Sequence, residues 1–220
     1  MSDNDSGALV RTLAGETLWL LPERALWWPA TRTLFVADVH LGKAASFRML
    51  GQPVPAGTTL DNLQRLTQLI EQHAAARLVV LGDLLHARAA QGGQLMDAVM
   101  QWREAHAGLD CLLVRGNHDS HAGDPPPRLR IRTLDEPVQL GPFAACHHPR
   151  RVAGAFVLAG HLHPALWLHG RAHERQRLPC FCRSEGLLIL PAFGAFTGTT
   201  TAGLPAGAVC HAIGGGKVWA

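Results

Sequence analysis

The chain contains no apolar run approaching the ~18 residues that a membrane-spanning helix requires, and no membrane association is expected. Charge is sparse. Only 17% of residues are Asp, Glu, Lys or Arg, against 47% hydrophobic, which excludes a disordered or solvating chain. The net charge of +3 is too small to mark a nucleic-acid binder by itself. There is no internal repeat and no low-complexity tract. Cysteine is limited to Cys111, Cys146, Cys180, Cys182 and Cys210, an odd number. Cys180-x-Cys182 lacks zinc-ribbon spacing and has no second pair, so neither a structural zinc nor a disulfide framework is expected. Cys111 and Cys146 lie in apolar runs and read as small buried hydrophobes. Met1 to Gly7 is polar and acidic with no basic leader before an apolar stretch, so no signal peptide is expected. The reading is a frayed tail over residues 1–16 and one domain over residues 17–220, with reduced thiols, in the cytoplasm.

What is present alternates strand and helix. Thr17 to Leu21 and Ala25 to Trp28, split by Pro22-Glu23-Arg24, predict a hairpin. Thr33 to Ala37 is β-biased and stops at Asp38. Leu60, Leu63, Leu66, Leu69 and Ile70 recur at helical spacing, with Asp61 suited to the helix dipole. Leu78 to Leu81 predicts a buried strand ending at Gly82-Asp83. Leu95 to Ala105 is helical in character, and Cys111 to Val114 predicts a strand ending at Arg115. Beyond the linker Gly123 to Pro127 the pattern turns strand-rich: Val138 to Cys146, Ala155 to Ala159, Leu187 to Leu190 and Ala208 to Ile213. Strand–helix alternation followed by strands predicts an α/β sandwich with mixed sheets.

Histidine is abundant, with 13 in 220 residues, and it is the commonest metal ligand among side chains. Five clusters each follow an apolar strand-like run: Asp38-Val39-His40, Gly82-Asp83, Gly116-Asn117-His118-Asp119, Cys146-His147-His148 and Gly160-His161-Leu162-His163. Ligands bind at the carboxyl ends of strands in open α/β sheets, so the clusters should converge on one edge. Residues i and i+2 of a strand share a face, which would aim Asp38 with His40, and His161 with His163, into one pocket. A single His after a strand is usually a packed or surface residue. The ordered recurrence of five clusters is what carries the reading.

Two carboxylates, one amide oxygen and at least four imidazoles exceed what one ion needs. Mixed oxygen and nitrogen donors suit Mn, Fe or Zn rather than Ca or Mg. Asp83, alone after its strand, is the natural bridge between two ions. Paired ions about 3.5–4 Å apart split phosphoesters by acidifying a water and gripping phosphate oxygens. His118 could then protonate the leaving oxygen, with Asp119 holding its other ring nitrogen.

These motifs in this order resemble the calcineurin-like metallophosphoesterase superfamily. The resemblance implies an α/β fold, a β-sandwich of two mixed sheets flanked by helices. It implies one metal on Asp38, His40, Asp83 and His163, and a second on Asp83, Asn117, His147 and His161. It also implies His118 as general acid, and it makes His147 rather than His148 the ligand. Asp38-Val-His-Leu-Gly-Lys-Ala-Ala-Ser-Phe-Arg48, Gly82-Asp-Leu-Leu-His86, Arg115-Gly-Asn-His-Asp119, His147-His-Pro149 and Leu190-Pro-Ala-Phe-Gly-Ala-Phe-Thr197 are further similar to the ligase-associated DNA endonuclease family (PdeM). That likeness implies a manganese-dependent DNA endonuclease acting in repair, functionally linked to a DNA ligase, an exonuclease and a helicase.

Cations flank the proposed site. Lys43 and Arg48 follow the first motif, Arg115 precedes Asn117, and Arg150-Arg151 follow His147; Arg128, Arg130 and Arg132 alternate as on one strand face. Such groups hold backbone phosphates without reading sequence. Lys43, Arg48, Arg115, His86 and His148 are the expected substrate contacts. Trp27-Trp28 and Phe47 could stack on bases, although a hairpin-core role suits the Trp pair. No capping domain separates the motifs, which leaves the metals open to a polymer or to a broad set of small phosphodiesters. The alternatives are a small-molecule phosphodiesterase or nucleotide hydrolase of the same superfamily, and a scaffold that has lost its metals.

Overall fold

The computed structural model describes residues 7–49, 51–53, 57–86, 93–170 and 174–220. Among these residues, two mixed sheets share a core and helices cover the outer face of the first. The first sheet runs in chain order through β1 (Leu9–Leu13), β2 (Glu16–Leu21), β3 (Ala25–Trp28), β4 (Thr33–Val36), β5 (Arg77–Leu81), β6 (Asp110–Val114) and β7 (Ile131–Leu134). Up to β4 the pairing is antiparallel; from β4 to β7 it is parallel. The second sheet comprises β8 (Val138–Leu140), β9 (Phe143–Ala145), β10 (Phe156–Ala159), β11 (Ala165–His169), β12 (Arg175–Ser184), β13 (Leu187–Ile189), β14 (Val209–Gly214) and β15 (Lys217–Val218). Its order is β15-β14-β12-β13-β10-β9-β8, with β11 added to β12. Within it β9, β10 and β13 are parallel neighbours.

The period-2 alternation of the central strands builds the layers. Phe35, Val79, Leu81, Leu112 and Val114 face the second sheet and meet Phe143, Ala145, Leu158, Phe181, Leu188 and Leu190. Leu34, Val36, Leu78, Val80, Cys111 and Leu113 face the other way, onto α2 (Thr58–Gln72) and α3 (Gly93–Ala105). The predicted apolar stripe of α2 buries Leu63, Leu66, Leu69 and Ile70, but Leu60 is 60% exposed. Two short helices, α1 (Lys43–Met49) and α4 (Asn117–Ala122), start where β4 and β6 have ended.

Several expectations need correction. The tail predicted over residues 1–16 is shorter, because Leu9–Leu13 pairs with β2 and buries Leu13; Met1 to Ser6 lie outside the described residues. The single strand predicted over Val138 to Cys146 is a hairpin, since Gly141 turns the chain at φ +59° between β8 and β9. Arg128, Arg130 and Arg132 do not share a strand face. Pro127–Leu129 is a 3-10 turn, Arg130 closes it in left-handed backbone, and only Arg132 lies in β7, where it pairs with Asp110. No helix among the described residues is long and apolar enough to cross a membrane.

β6 and β7 are held in register from outside by Arg103, buried at the end of α3. Its guanidinium donates to the carbonyls of Leu129 (2.9 Å), Leu109 (2.8 Å) and His106, joining the turns that lead into both strands. Buried carbonyls stripped of a charged donor cost about 1–3 kcal/mol each. Arg103→Leu is therefore expected to lower stability by ~3 kcal/mol or more, read from the urea unfolding midpoint.

Candidate active site

The ligand clusters meet because β4, β5 and β6 are parallel, so their carboxyl ends lie along one edge, and β9 and β10 deliver theirs beside it. The first two loops continue the strand pairing past the sheet. Asp38 N donates to Gly82 O (3.2 Å), His40 N to Asp83 O (2.9 Å), Leu41 N to Leu84 O (2.9 Å) and His86 N to Leu41 O (3.0 Å). The second sheet's loops are joined in the same way: Gly160 N donates to His147 O at 3.1 Å.

The predicted reason for convergence differs from the observed one. Asp38, His40, Asp83, His161 and His163 are not in extended strand; their φ values are +54°, +49°, +54°, +70° and +48°. Non-glycine residues in left-handed backbone cost on the order of 1–3 kcal/mol each, and such strain collects at functional sites. Here it rotates alternate side chains inward. Asp38 Oδ1 lies 3.3 Å from His163 Nε2, and the rings of His40 and His163 are 5.5 Å apart.

At the second position His147 Nδ1 is 3.0 Å from Leu81 O, so in the neutral ring the proton sits there and Nε2 is bare. Nε2 nevertheless lies 2.9 Å from Asn117 Oδ1, 3.0 Å from His161 Nδ1 and 3.6 Å from Asp83 Oδ1. Two donors about 2.1 Å from one ion at a right angle are about 3 Å apart. Donor atoms at this spacing, converging from three side chains, fit a cation. Asp38 Oδ1 and both ring nitrogens of His40 are also buried without a hydrogen-bond partner. His40 Nε2 is 3.8 Å from Asp83 Oδ2, so Asp83 faces both groups of donors. The residues present therefore fit divalent metals, with no sulfur among the donors: the five cysteines are free thiols elsewhere.

The electrostatics point the same way. Burial lowers the His40 pKa to about 2, aided by Lys43 and the neighbouring imidazoles, so the ring is neutral and its lone pair available. His161 is lowered by burial and by His147 and His148. Asp83 is raised, chiefly by burial and then by Asp38, while His147 and the His118 N–H (2.9 Å to Oδ1) oppose the rise. A divalent cation reverses that penalty.

Other predicted residues are placed less uniformly. His118 lies at the mouth, its Nδ1 3.2 Å from His86 O and its Nε2 3.9 Å from Asp83 Oδ2. His86 stacks on it at 5.0 Å, with its own pKa lowered to about 4, first by burial and then by His118 and Lys43. Asp119 does not orient His118. Its buried carboxylate accepts from the backbone N–H groups of Asp83 (2.7 Å), Leu84 (3.1 Å), Leu85 (3.3 Å) and Gly116 (3.0 Å), tying the Asp83 loop to the start of α4. Lys43, half-buried at the start of α1, is influenced by both Asp38 and Asp83. Arg48 is exposed in the last turn of α1. Arg115 is not offered to substrate, because Asp124 and Asp135 hold its guanidinium. His148 bonds Glu136 through Nδ1 at 2.9 Å, yet its ring stands 4.5 Å from that of His161 and it forms a group of three with His147 and His161. Trp28 packs on Phe143 as a hairpin-core residue, while Phe47 stands with Phe196 and His86 beside the site.

Sequence reasoning passed over several supports. Glu136 accepts from the N–H groups of both His147 (2.6 Å) and His148 (2.9 Å). Asn62 receives Ala195 N (3.1 Å), and Arg65 donates to Phe193 O (3.1 Å) with its guanidinium 4.1 Å over that ring. Phe193 N and Gly194 N in turn bond Ala37 O (2.8 Å) and Asp38 O (3.1 Å). The Leu190 to Thr197 stretch is thus a clamp on the first ligand loop. Only its unusual Phe-Gly-Ala-Phe composition could have signalled this. A cleft of about 570 Å³ opens beside His161, lined also by His148, Arg150, Arg151, Leu162 and Ser184.

The calcineurin-like phosphoesterase profile matches residues 31–149, which span four of the five clusters. The chain belongs to the calcineurin-like phosphoesterases. A Pseudomonas putida nuclease, MPE, is 42% identical with a TM-score of 0.85, over 96% of this chain and 98% of its own. The phosphoesterase Yfce of E. coli is 16% identical with a TM-score of 0.42, over 86% of this chain and 96% of its own. No curated protein is significantly similar to the chain. As a calcineurin-like phosphoesterase it is a metal-dependent hydrolase of phosphoesters.

Two consequences can be measured. A Cβ on Gly82 would fall within the His147 ring, and Gly82 itself has φ +82°. Gly82→Ala is expected to lose about half of the bound metal, read by elemental analysis, with the fold retained by circular dichroism. Asp119→Ala leaves four backbone donors without their carboxylate; at about 1–3 kcal/mol each it should lower the thermal midpoint more than His118→Ala does. Equal midpoints would refute the positioning role.

Proposed function

We propose that the chain is a two-metal, manganese-dependent phosphodiesterase that makes internal cuts in single-stranded or structured DNA during repair. The observation that carries this is the convergence of carboxylate, amide and imidazole donors around Asp83, in a chain 42% identical to a nuclease over nearly its full length. In this reading Asp38, His40, Asp83 and His163 hold one ion, and Asp83, Asn117, His147 and His161 the other. When bound, such ions supply Lewis acidity and a more acidic water to a phosphodiester. Imidazole with carboxylate and amide oxygen, and no thiolate, is compatible with Mn²⁺.

The chain's own residues supply the remainder. Asp38 and Asp83 fix the ligand geometry from adjacent strand ends. His118 is exposed enough to reach the leaving oxygen, and its Nδ1 lies against the His86 carbonyl, so Nε2 faces the site and, from the imidazolium form, would pass its proton to that oxygen. Stacking on a neutral His86 places no second positive charge against it. Lys43, whose charge interacts with Asp38 and Asp83, and Arg48, exposed in the last turn of α1, would hold flanking phosphates. The same reading keeps a functional link to a DNA ligase, an exonuclease and a helicase, and a cytoplasmic location.

The test is cleavage of end-labelled single-stranded DNA with Mn²⁺. Internal cuts are expected from the parent and none from Asp83→Ala, which should also lose its metals. His118→Ala should keep the metals and lose ~10²–10⁴-fold on DNA, the usual cost of withdrawing a general acid. Its loss on bis-p-nitrophenyl phosphate should be smaller, because that leaving group needs little protonation. No DNA cleavage with that small diester still hydrolysed would move the substrate to small phosphodiesters.

A further inference from the structure

The second sheet carries an outlying ribbon whose surface chemistry the hydrolytic site does not use. β11 begins two residues after His163 and pairs with the first half of β12 in the register Trp167↔Arg177 and His169↔Arg175. Directly opposed and alternate residues share a face, so Trp167, His169, Arg175 and Arg177 stand together. Trp167 is 45% exposed and Leu168 on the reverse face 47%, so the described residues leave both faces open to solvent. The guanidinium carbons of Arg175 and Arg177 lie 5.6 and 5.7 Å from the Trp167 ring centroid. Among the described residues neither guanidinium has an acidic partner. Arg77, Arg115, Arg132 and Arg151 differ, each being paired with an Asp or Glu.

The ribbon is tied rigidly to the metal-ligand loop. Thr200 N donates to His163 O (3.0 Å), Ala165 N to Thr200 O (2.8 Å) and Cys180 N to Pro164 O (3.0 Å). Trp167 is four positions after His163, which puts the ring's backbone at most ~14 Å along the chain from that residue. An exposed indole flanked by unneutralised guanidiniums has the chemistry of a single-strand platform. Bases stack on aromatic rings and guanidinium planes alike, and the cations also meet the phosphates.

We propose that the β11–β12 ribbon is a binding platform for single-stranded nucleic acid, stacking a base on Trp167 and holding flanking phosphates on Arg175 and Arg177 a few nucleotides from the cut. This rests on the reading of the site as a nuclease, and it assigns the polymer contact outside the metal centre. Because the platform touches the polymer and not the scissile diester, Trp167→Ala should impair oligonucleotides far more than a small diester.

The experiment compares parent, Trp167→Ala and Arg175→Ala/Arg177→Ala by anisotropy of a labelled single-stranded DNA oligonucleotide and by turnover of bis-p-nitrophenyl phosphate. Trp167→Ala is expected to weaken oligonucleotide binding about tenfold more than it changes small-diester turnover. The double Arg variant should reduce the slope of log affinity against log salt by about 1.4, which is two phosphate contacts on a single strand. Parent-like binding and salt slope in both variants, with the parent still cutting DNA, would overturn the platform and leave the nuclease reading standing. An equal loss on both substrates would overturn it too, since the ribbon would then be supporting the site's shape. A parent that hydrolyses the small diester but neither binds nor cuts the oligonucleotide would overturn both. A dimer in the parent that Trp167→Ala dissolves, with oligonucleotide binding unchanged, would assign the ribbon to a second copy of the chain instead.

Discussion

Carboxylate, amide and imidazole donors are packed together at the edge where the two sheets meet. Asp38 Oδ1 and both His40 nitrogens are buried without partners, and His147 Nε2 faces Asn117 Oδ1 and His161 Nδ1 at about 3 Å. Left alone, such a group is unfavourable, because buried lone pairs lose water and repel one another. Burial already opposes ionisation of Asp83 and protonation of His40. A divalent cation turns these penalties into attraction. The fold must therefore hold the donors in place when they would otherwise move apart, and much of its local detail serves that end.

Three devices share the task. Left-handed backbone at five of the proposed ligands turns neighbouring side chains toward one centre. Glycines admit the ligands where any Cβ would collide: Gly82 against the His147 ring, Gly116 against the Asp83 carboxylate and Gly160 against Asp38 Oδ2. Acidic side chains away from the metals then fix the loops by accepting backbone N–H groups, Asp119 beneath Asp83 and Glu136 beneath His147. Burial pushes the Asp119 pKa up while the N–H donors of Gly116, Leu85 and Asp83 pull it down. A carboxylate with four such donors is a loop staple, and its strength explains how a strained backbone persists.

Much of this was legible in the sequence because each motif ends an apolar strand, and parallel strands place their ends together. Thr33 to Ala37, Leu78 to Leu81 and Cys111 to Val114 needed only composition and length. What composition concealed was partnership. Asp119 adjoins His118 in the chain but faces the backbone of another loop, and Arg115 adjoins Asn117 but faces Asp124 and Asp135. Adjacency in sequence does not give direction inside a turn. β12 was missed because Arg175, Gln176, Arg177 and Pro179 dilute its pattern, and a proline argues against a central strand. Pro179 is tolerated because it pairs with Ala165 of the outlying strand β11. β1 was missed because Val10 and Arg11 lie at the sheet's edge, where burial imposes little pattern.

The distribution of cations bears on what kind of phosphodiester the site meets. Were arginines present only for solubility, they would be expected to be interspersed with acids, as Arg77 and Arg132 are around Asp110. Around the donors Lys43 and Arg48 lie on α1, and His148, Arg150 and Arg151 line the cleft beside His161. In that cleft Glu136 lies 3.7 Å from Arg150 and Glu185 lies 3.1 Å from Arg151, so its field is tempered. A small phosphodiester would need only the metals and the nearest cation. A strand needs contacts spaced along its length, weak enough singly to release the product. Basic groups on several separate elements, around a centre with no covering domain among the described residues, are what the proposed nuclease reading would use for the second requirement.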